Sequence, residues 1–165
     1  MRRLGLLALV LFVGGCGGAK TATATSSSTT KATVGSHVPE SAEDVLAIFQ
    51  AKGLPIAETI DYSAATDPNH LLGRPHGYTS KVAWHDTRTE MTDSVNTLGS
   101  NDGGTVEFFD NADDAKSRYD YVDNIQKSVG ALSGNDYQYL HGTYVMRIAG
   151  KLTPDQAKQY DAALG

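Results

Sequence analysis

The chain holds a single cysteine, Cys16, among its 165 residues, so no disulfide framework can form within it. It has no run of ~20 consecutive apolar residues, the length a helix needs to cross ~30 Å of hydrocarbon. Basic residues are not in excess: Lys plus Arg number 14 against 19 for Asp plus Glu, a net charge of −5. That balance argues against nucleic acid, and against anionic lipid as a purely electrostatic partner. The acids are scattered, so no acidic tail is indicated. There is no Gly-x-Ser-x-Gly elbow, and Gly103-Gly104 leads into a strand pattern rather than a helix, which removes the usual phosphate-binding loop.

What is present begins at the N-terminus. Arg2 and Arg3 precede the apolar stretch Leu4 to Val13, and Gly14 and Gly15 then stand before Cys16. A charged start, a short apolar run and small residues are the order of a secretory leader. With cysteine directly after the small residues, the segment resembles a bacterial lipoprotein signal peptide. The resemblance implies removal of residues 1–15 and a diacylglycerol on the thiol of Cys16. Two acyl chains anchor stably, at ~0.8 kcal/mol per buried methylene. The implied partner is then the membrane, and the implied place is its outer face. The alternative is an ordinary leader cut near Gly18 or Ala19. Loss of Arg2 and Arg3 makes the remaining chain more acidic still.

Residues 16–39 are Gly, Ala, Ser and Thr with few charges and no apolar period. Such a tether has an r.m.s. reach of roughly 25 Å. Residues 40–165 then suit one domain.

Within that domain Ser41 with Glu43 and Asp44 opens a helix bearing Val45, Leu46, Ile48 and Phe49, and Gly53 and Pro55 close it. Ile56 to Tyr62 reads as a short strand. Lys81 to His85 alternates, with Val82 and Trp84 on one face. Asn101 to Gly104 is a turn into the strand Thr105 to Phe109. Asp110 or Asn111 caps a helix with Ala115, Tyr119 and Val122 on its apolar side. Tyr137 to Leu140 and Thr143 to Ala149 pair around a turn at His141-Gly142. Thr153-Pro154-Asp155-Gln156 carries the cap, first-turn proline and returning glutamine of a last helix. The order α-(β)-β-β-α-β-β-α predicts the α+β class, with an antiparallel sheet of four or five strands and helices packed on one face.

Asp67-Pro68-Asn69-His70-Leu71-Leu72-Gly73-Arg74-Pro75, followed by Tyr78-Thr79-Ser80-Lys81, resembles a group of secreted actinobacterial lipoproteins of uncharacterised function. Gly104 to Phe109 and Leu152 to Ala157 are similar to that group as well. The resemblance implies a single extracytoplasmic domain and no particular activity.

The segment Asp67 to Lys81 mixes Asp67, Asn69, Arg74, Tyr78 and Lys81 with turn-forming Pro68, Gly73, Pro75 and Gly77. Recognition loops have this character. So do loops held only by internal hydrogen bonds around Leu71-Leu72. If it binds, Trp84 would support it from the adjoining strand. His70, His76, His85 and Asp86 match no zinc spacing, and Ser100 to Gly104 lacks the spaced acids of a calcium loop. No catalytic residue, metal or cofactor is indicated. The expectation is a monomeric, membrane-anchored, non-enzymatic module for an envelope protein, peptide, glycan or small molecule. The alternative is a small envelope hydrolase or metal-dependent enzyme using His70, His76 or His85.

Overall fold

Each helix starts where the sequence carries its cap. The Ser41 hydroxyl accepts the Asp44 N–H at 3.2 Å, and the Asn111 carboxamide accepts the Asp114 N–H at 2.9 Å. Thr153 and Gln156 cap one another reciprocally, at 3.3 and 2.8 Å, with Pro154 as the first helical residue. Such caps satisfy orphan donors and each contribute ~0.5–2 kcal/mol. A computed structural model describes residues 38–130 and 136–165. The expected leader, the lipidated Cys16 and nearly all of the tether lie outside the described residues.

The helices are α1 (Ala42–Ala51), α2 (Ala112–Val129) and α3 (Pro154–Ala163). The strands are β1 (Ile56–Asp61), β2 (Ser80–Asp86), β3 (Gly103–Phe108), β4 (Tyr137–His141) and β5 (Tyr144–Ile148). All neighbouring strands are antiparallel, in one open sheet of order β1-β2-β3-β5-β4. The class and the element order are those expected from the sequence.

One sheet face carries Val82, Trp84, Val106, Phe108, Met146 and Ile148, and α1 and α3 cover it with Val45, Phe49, Ala157 and Tyr160. Phe49, Trp84 and Tyr160 meet with ring centres 5.1–5.4 Å apart. Gly104 stands opposite Trp84 in the β2–β3 register. A Cβ there would fall 2.3 Å from the indole, so only glycine lets the ring lie against β3.

The helices are not all on that face, as had been expected: α2 lies across the other one. The reason is in β3, where every residue is buried. A strand buried on both sides needs cover on both. The second face places Val145 against Ala115 and gathers Tyr78, Phe109, Leu71, Leu72 and Tyr119 around them. Nearer β1 it packs Tyr62, Ala83, Leu98 and Ile60. Leu98 comes from the polar stretch after β2, which is no open loop. The buried Asp102 carboxylate accepts N–H groups of Thr92, Asp93 and Gly99 at 2.7, 3.3 and 3.2 Å and holds the stretch in two short turns.

The β4–β5 turn falls at Gly142-Thr143, one residue later than expected, with Gly142 at φ +54°. His141 stays in the strand opposite Tyr144, its ring 5.3 Å from the tyrosine's. Tyr137, Tyr139 and Tyr144 pack against the first-face core.

Candidate functional site

The turn after β1 brings Asp67 beneath the loop, where its carboxylate is almost wholly buried. One oxygen accepts the Leu71 and Leu72 N–H groups at 2.8 and 3.2 Å, and the other accepts Lys81 Nζ at 2.9 Å. The Tyr78 hydroxyl lies 2.6 Å from both oxygens and donates to the carboxylate. Burial alone would raise the Asp67 pKa, but Tyr78, Lys81 and the Leu71 N–H outweigh it and hold the carboxyl far below the usual range. Burial and the neighbouring Asp67 push the Tyr78 hydroxyl up, so it stays a donor.

Asn69 extends this network. Its side-chain N–H group donates to the Tyr78 hydroxyl at 3.2 Å and to Glu107 at 3.1 Å. Glu107 also receives a complete two-rung fork from Arg118, Nε at 2.7 Å and Nη2 at 2.9 Å. Two acids and two bases cancel, and their hydrogen-bonding groups are spent on one another.

Four of the six residues singled out for ligand contact, Asp67, Asn69, Tyr78 and Lys81, therefore converge. Arg74 is exposed and takes no part in the network. Trp84 does not support the loop: it is fully buried on the opposite face between Phe49 and Tyr160. Residues 81 and 84 are an odd number apart in one strand, so they point to opposite sides.

A concavity lies beside that network. A groove of about 830 Å³ runs along α2, with Arg118, Tyr121 and Ile125 on the helix side. Asn69, Leu71, Ser100 and Asn101 line it from the loops, and Asp136 and Arg147 from the sheet side. Tyr121 and Ile125 are 58 % and 43 % exposed, large apolar groups left uncovered one helical turn apart.

Arg147 Nη2 donates to Asp136 Oδ2 at 2.6 Å. The parallel rung is not made: Arg147 Nε and Asp136 Oδ1 are both buried and have no hydrogen-bond partner. Gln138, opposite Arg147 in the β4–β5 register, has a buried side-chain oxygen in the same condition. Native proteins contain few such atoms, because each costs ~1–3 kcal/mol.

The histidines are dispersed. His76 Nδ1 lies 2.9 Å from Asp114 at the groove margin, with its side chain 86 % exposed. His85 stands between Glu58 and the Thr89 carbonyl, at 2.9 and 3.0 Å; the carbonyl, then Glu58, raises its pKa above the ordinary value. His141 meets Asp161 at 2.9 Å, and His70 is exposed. Among the described residues no three metal-ligating side chains cluster, and no helix is long and apolar enough to cross a membrane.

Sequence reasoning missed Glu107, Arg118, Tyr121, Asp136 and Arg147. A signal existed for two of them. Arg118 falls between Ala115 and Val122 on the apolar side of α2, and Glu107 stands between Val106 and Phe108. A charge in such a position calls for a buried partner. Comparison with known proteins finds no matching family model, no matching curated protein and no matching solved structure.

Proposed function

We propose that this chain is a non-catalytic binding module, held at the outer face of a cell membrane by lipid on Cys16, which takes its ligand in the groove along α2. The groove of about 830 Å³ beside α2 carries the binding part of this reading. The wall of that groove leaves Tyr121 and Ile125 uncovered, whereas the Asp67–Lys81 network next to it is closed. Arg2-Arg3, the short apolar run and the placement of Cys16 support the anchor. The resemblance of Asp67 to Lys81 to secreted lipoproteins accords with the same address.

Chemical-shift mapping of the full chain with a library of small organic fragments tests the groove. Shifts gathered on Ser117 to Gln126 and on Arg147 are the expected outcome; shifts confined to other surfaces overturn it. Detergent phase separation tests the anchor: Cys16→Ser is expected to move the protein to the aqueous phase, and unchanged partitioning refutes the lipid.

One observation favours the hydrolase alternative, the His76–Asp114 pair at the groove margin. Its imidazole is open to solvent, and no hydroxyl among the described residues hydrogen-bonds to it. Hydrolysis of an ester or glycoside probe by the wild-type chain, abolished in His76→Ala, would establish that reading over the binding one.

A further inference from the structure

We propose that His85 is a pH-sensitive clamp, which as a cation ties the segment 87–102 to the sheet and so fixes the wall that Ser100 and Asn101 give the groove, whether or not the groove is filled. Each nitrogen of its ring faces an acceptor. Nδ1 lies 2.9 Å from a Glu58 carboxylate oxygen, and Nε2 lies 3.0 Å from the Thr89 carbonyl oxygen. A neutral imidazole has one N–H and one lone pair, so it donates to only one of the two. The cation donates to both. In the neutral ring a lone pair faces an oxygen at hydrogen-bond distance, and a side chain only 15 % exposed has little water to relieve it. His76 and His141 differ: each meets a single carboxylate through one nitrogen, a contact that the neutral ring makes as well.

The strands around the ring are arranged for this. Ile56 stands opposite Asp86 and Thr59 opposite Trp84, so Ala57 and Glu58 share the one position opposite His85. Such a bulge re-aims a side chain, and here it lies in the strand that carries Glu58. On the other side β3 places Gly103 opposite His85, so no side chain from that position competes for the ring. The charged groups near the ring are acids or are already spent. Glu58 touches it, Asp102 adds its charge from the turn before β3, and the Arg88 guanidinium is held by Asp86 and Gln159. The Thr89 carbonyl, then Glu58 and Asp102, hold the His85 pKa above its ordinary value against the opposing effect of burial.

Thr89 is where the segment is fastened. Its N–H and its hydroxyl both donate to the Asp86 carbonyl at 2.9 Å, and the hydroxyl also meets the Asp102 carbonyl. The Asp102 carboxylate in turn accepts the N–H groups of Thr92, Asp93 and Gly99, next to Ser100 and Asn101. The His85 cation closes this set of bonds from the strand side. Linkage gives the direction. A pKa raised by folding contributes stability that is complete below the unfolded value of ~6.5 and is lost as pH rises through the folded one. The clamp is shut on the acid side of that window and opens on the alkaline side.

The test is a titration of the full chain from about pH 5 to about pH 9. Long-range nitrogen–proton spectra of the imidazoles read which ring nitrogens carry protons. Amide exchange, corrected for its intrinsic pH dependence, reads the segment. The expected His85 midpoint lies above ~6.5. Protection of the Thr89 and Thr92 amides is expected to fall about threefold or more through it, while that of Val106, in the central strand, stays level. Glu58→Gln, a change at an exposed side chain, is expected to bring the midpoint down toward ~6.5 and the fall in protection with it. His85→Gln, whose amide takes up no proton, is expected to remove the step. A midpoint at or below ~6.5 overturns the cation. Protection that stays level through a raised midpoint overturns the clamp, as does a step that persists in His85→Gln or a midpoint that Glu58→Gln leaves in place.

Discussion

Two regions of the second sheet face use the same chemistry to different ends. Around Asp67, Lys81, Glu107 and Arg118 every charged group has found its partners, and the Arg118–Glu107 fork is complete. Elsewhere on that face, Arg147 of β5 and Asp136, just before β4, have made half of theirs. Burying ion pairs is costly, and good geometry with full hydrogen bonding is what offsets it. The closed network is therefore a device that locks the loop onto the sheet. The half-made pair contributes less to holding its elements together. Charge and burial alone do not separate the two; the count of hydrogen bonds made does.

The contrast can be broken by removing one carboxylate from each region. Asp67→Ala strands Lys81, Tyr78 and two backbone N–H groups, and is expected to cost about 3–5 kcal/mol in urea denaturation. Asp136→Ala removes a partner from an arginine that is 23 % exposed and already half unpaired, and is expected to cost about 1–2 kcal/mol. Equal losses would erase the distinction between a closed and an open pair.

Acid sharpens it further. The folded pKa of Asp67 is depressed, so the unfolded chain takes up its proton first. The stability this group contributes is complete above its unfolded pKa of ~3.9 and is lost as pH falls below it. Asp86 and Asp102, also depressed against the opposing effect of burial, act in the same direction. Asp67→Asn should lower stability at neutral pH and flatten its decline between about pH 5 and about pH 2. An acid limb as steep as the wild type's would show that Asp67 is not held as described. The smallest expected effect is that of Tyr121→Ala on folding, within about 0.5 kcal/mol, because the ring is mostly in solvent. A larger loss would make Tyr121 part of the core rather than a wall of the groove.

Much of the fold was legible because it is written locally. Ser41, Asn111 and the Thr153–Gln156 box mark helix starts, and the β4–β5 hairpin needed only a one-residue shift. The placement of α2 was not legible in the same way. Lys81, Thr105, Glu107 and Arg147 sit at alternate strand positions, yet the first three are buried and Arg147 lines the sheet side of the groove. Charged residues cover a buried face only when they satisfy one another, and that depends on partners far apart in sequence. Asp67 and Lys81 are close enough to suspect; Asn69 and Glu107 are joined only by the sheet. Trp84 shows the reverse case, since strand parity already separated it from Lys81. The Arg147–Asp136 pair depends on the turn from α2 into β4, and no residue pattern announces that one rung stays open.

Arginine Nε–H exchange with solvent, measured site by site, bears most directly on the open fork. In the unliganded chain Arg88 and Arg118, each held through Nε, should exchange slowly, and Arg147 markedly faster. Equal protection of all three would contradict a fork of which only one rung is made.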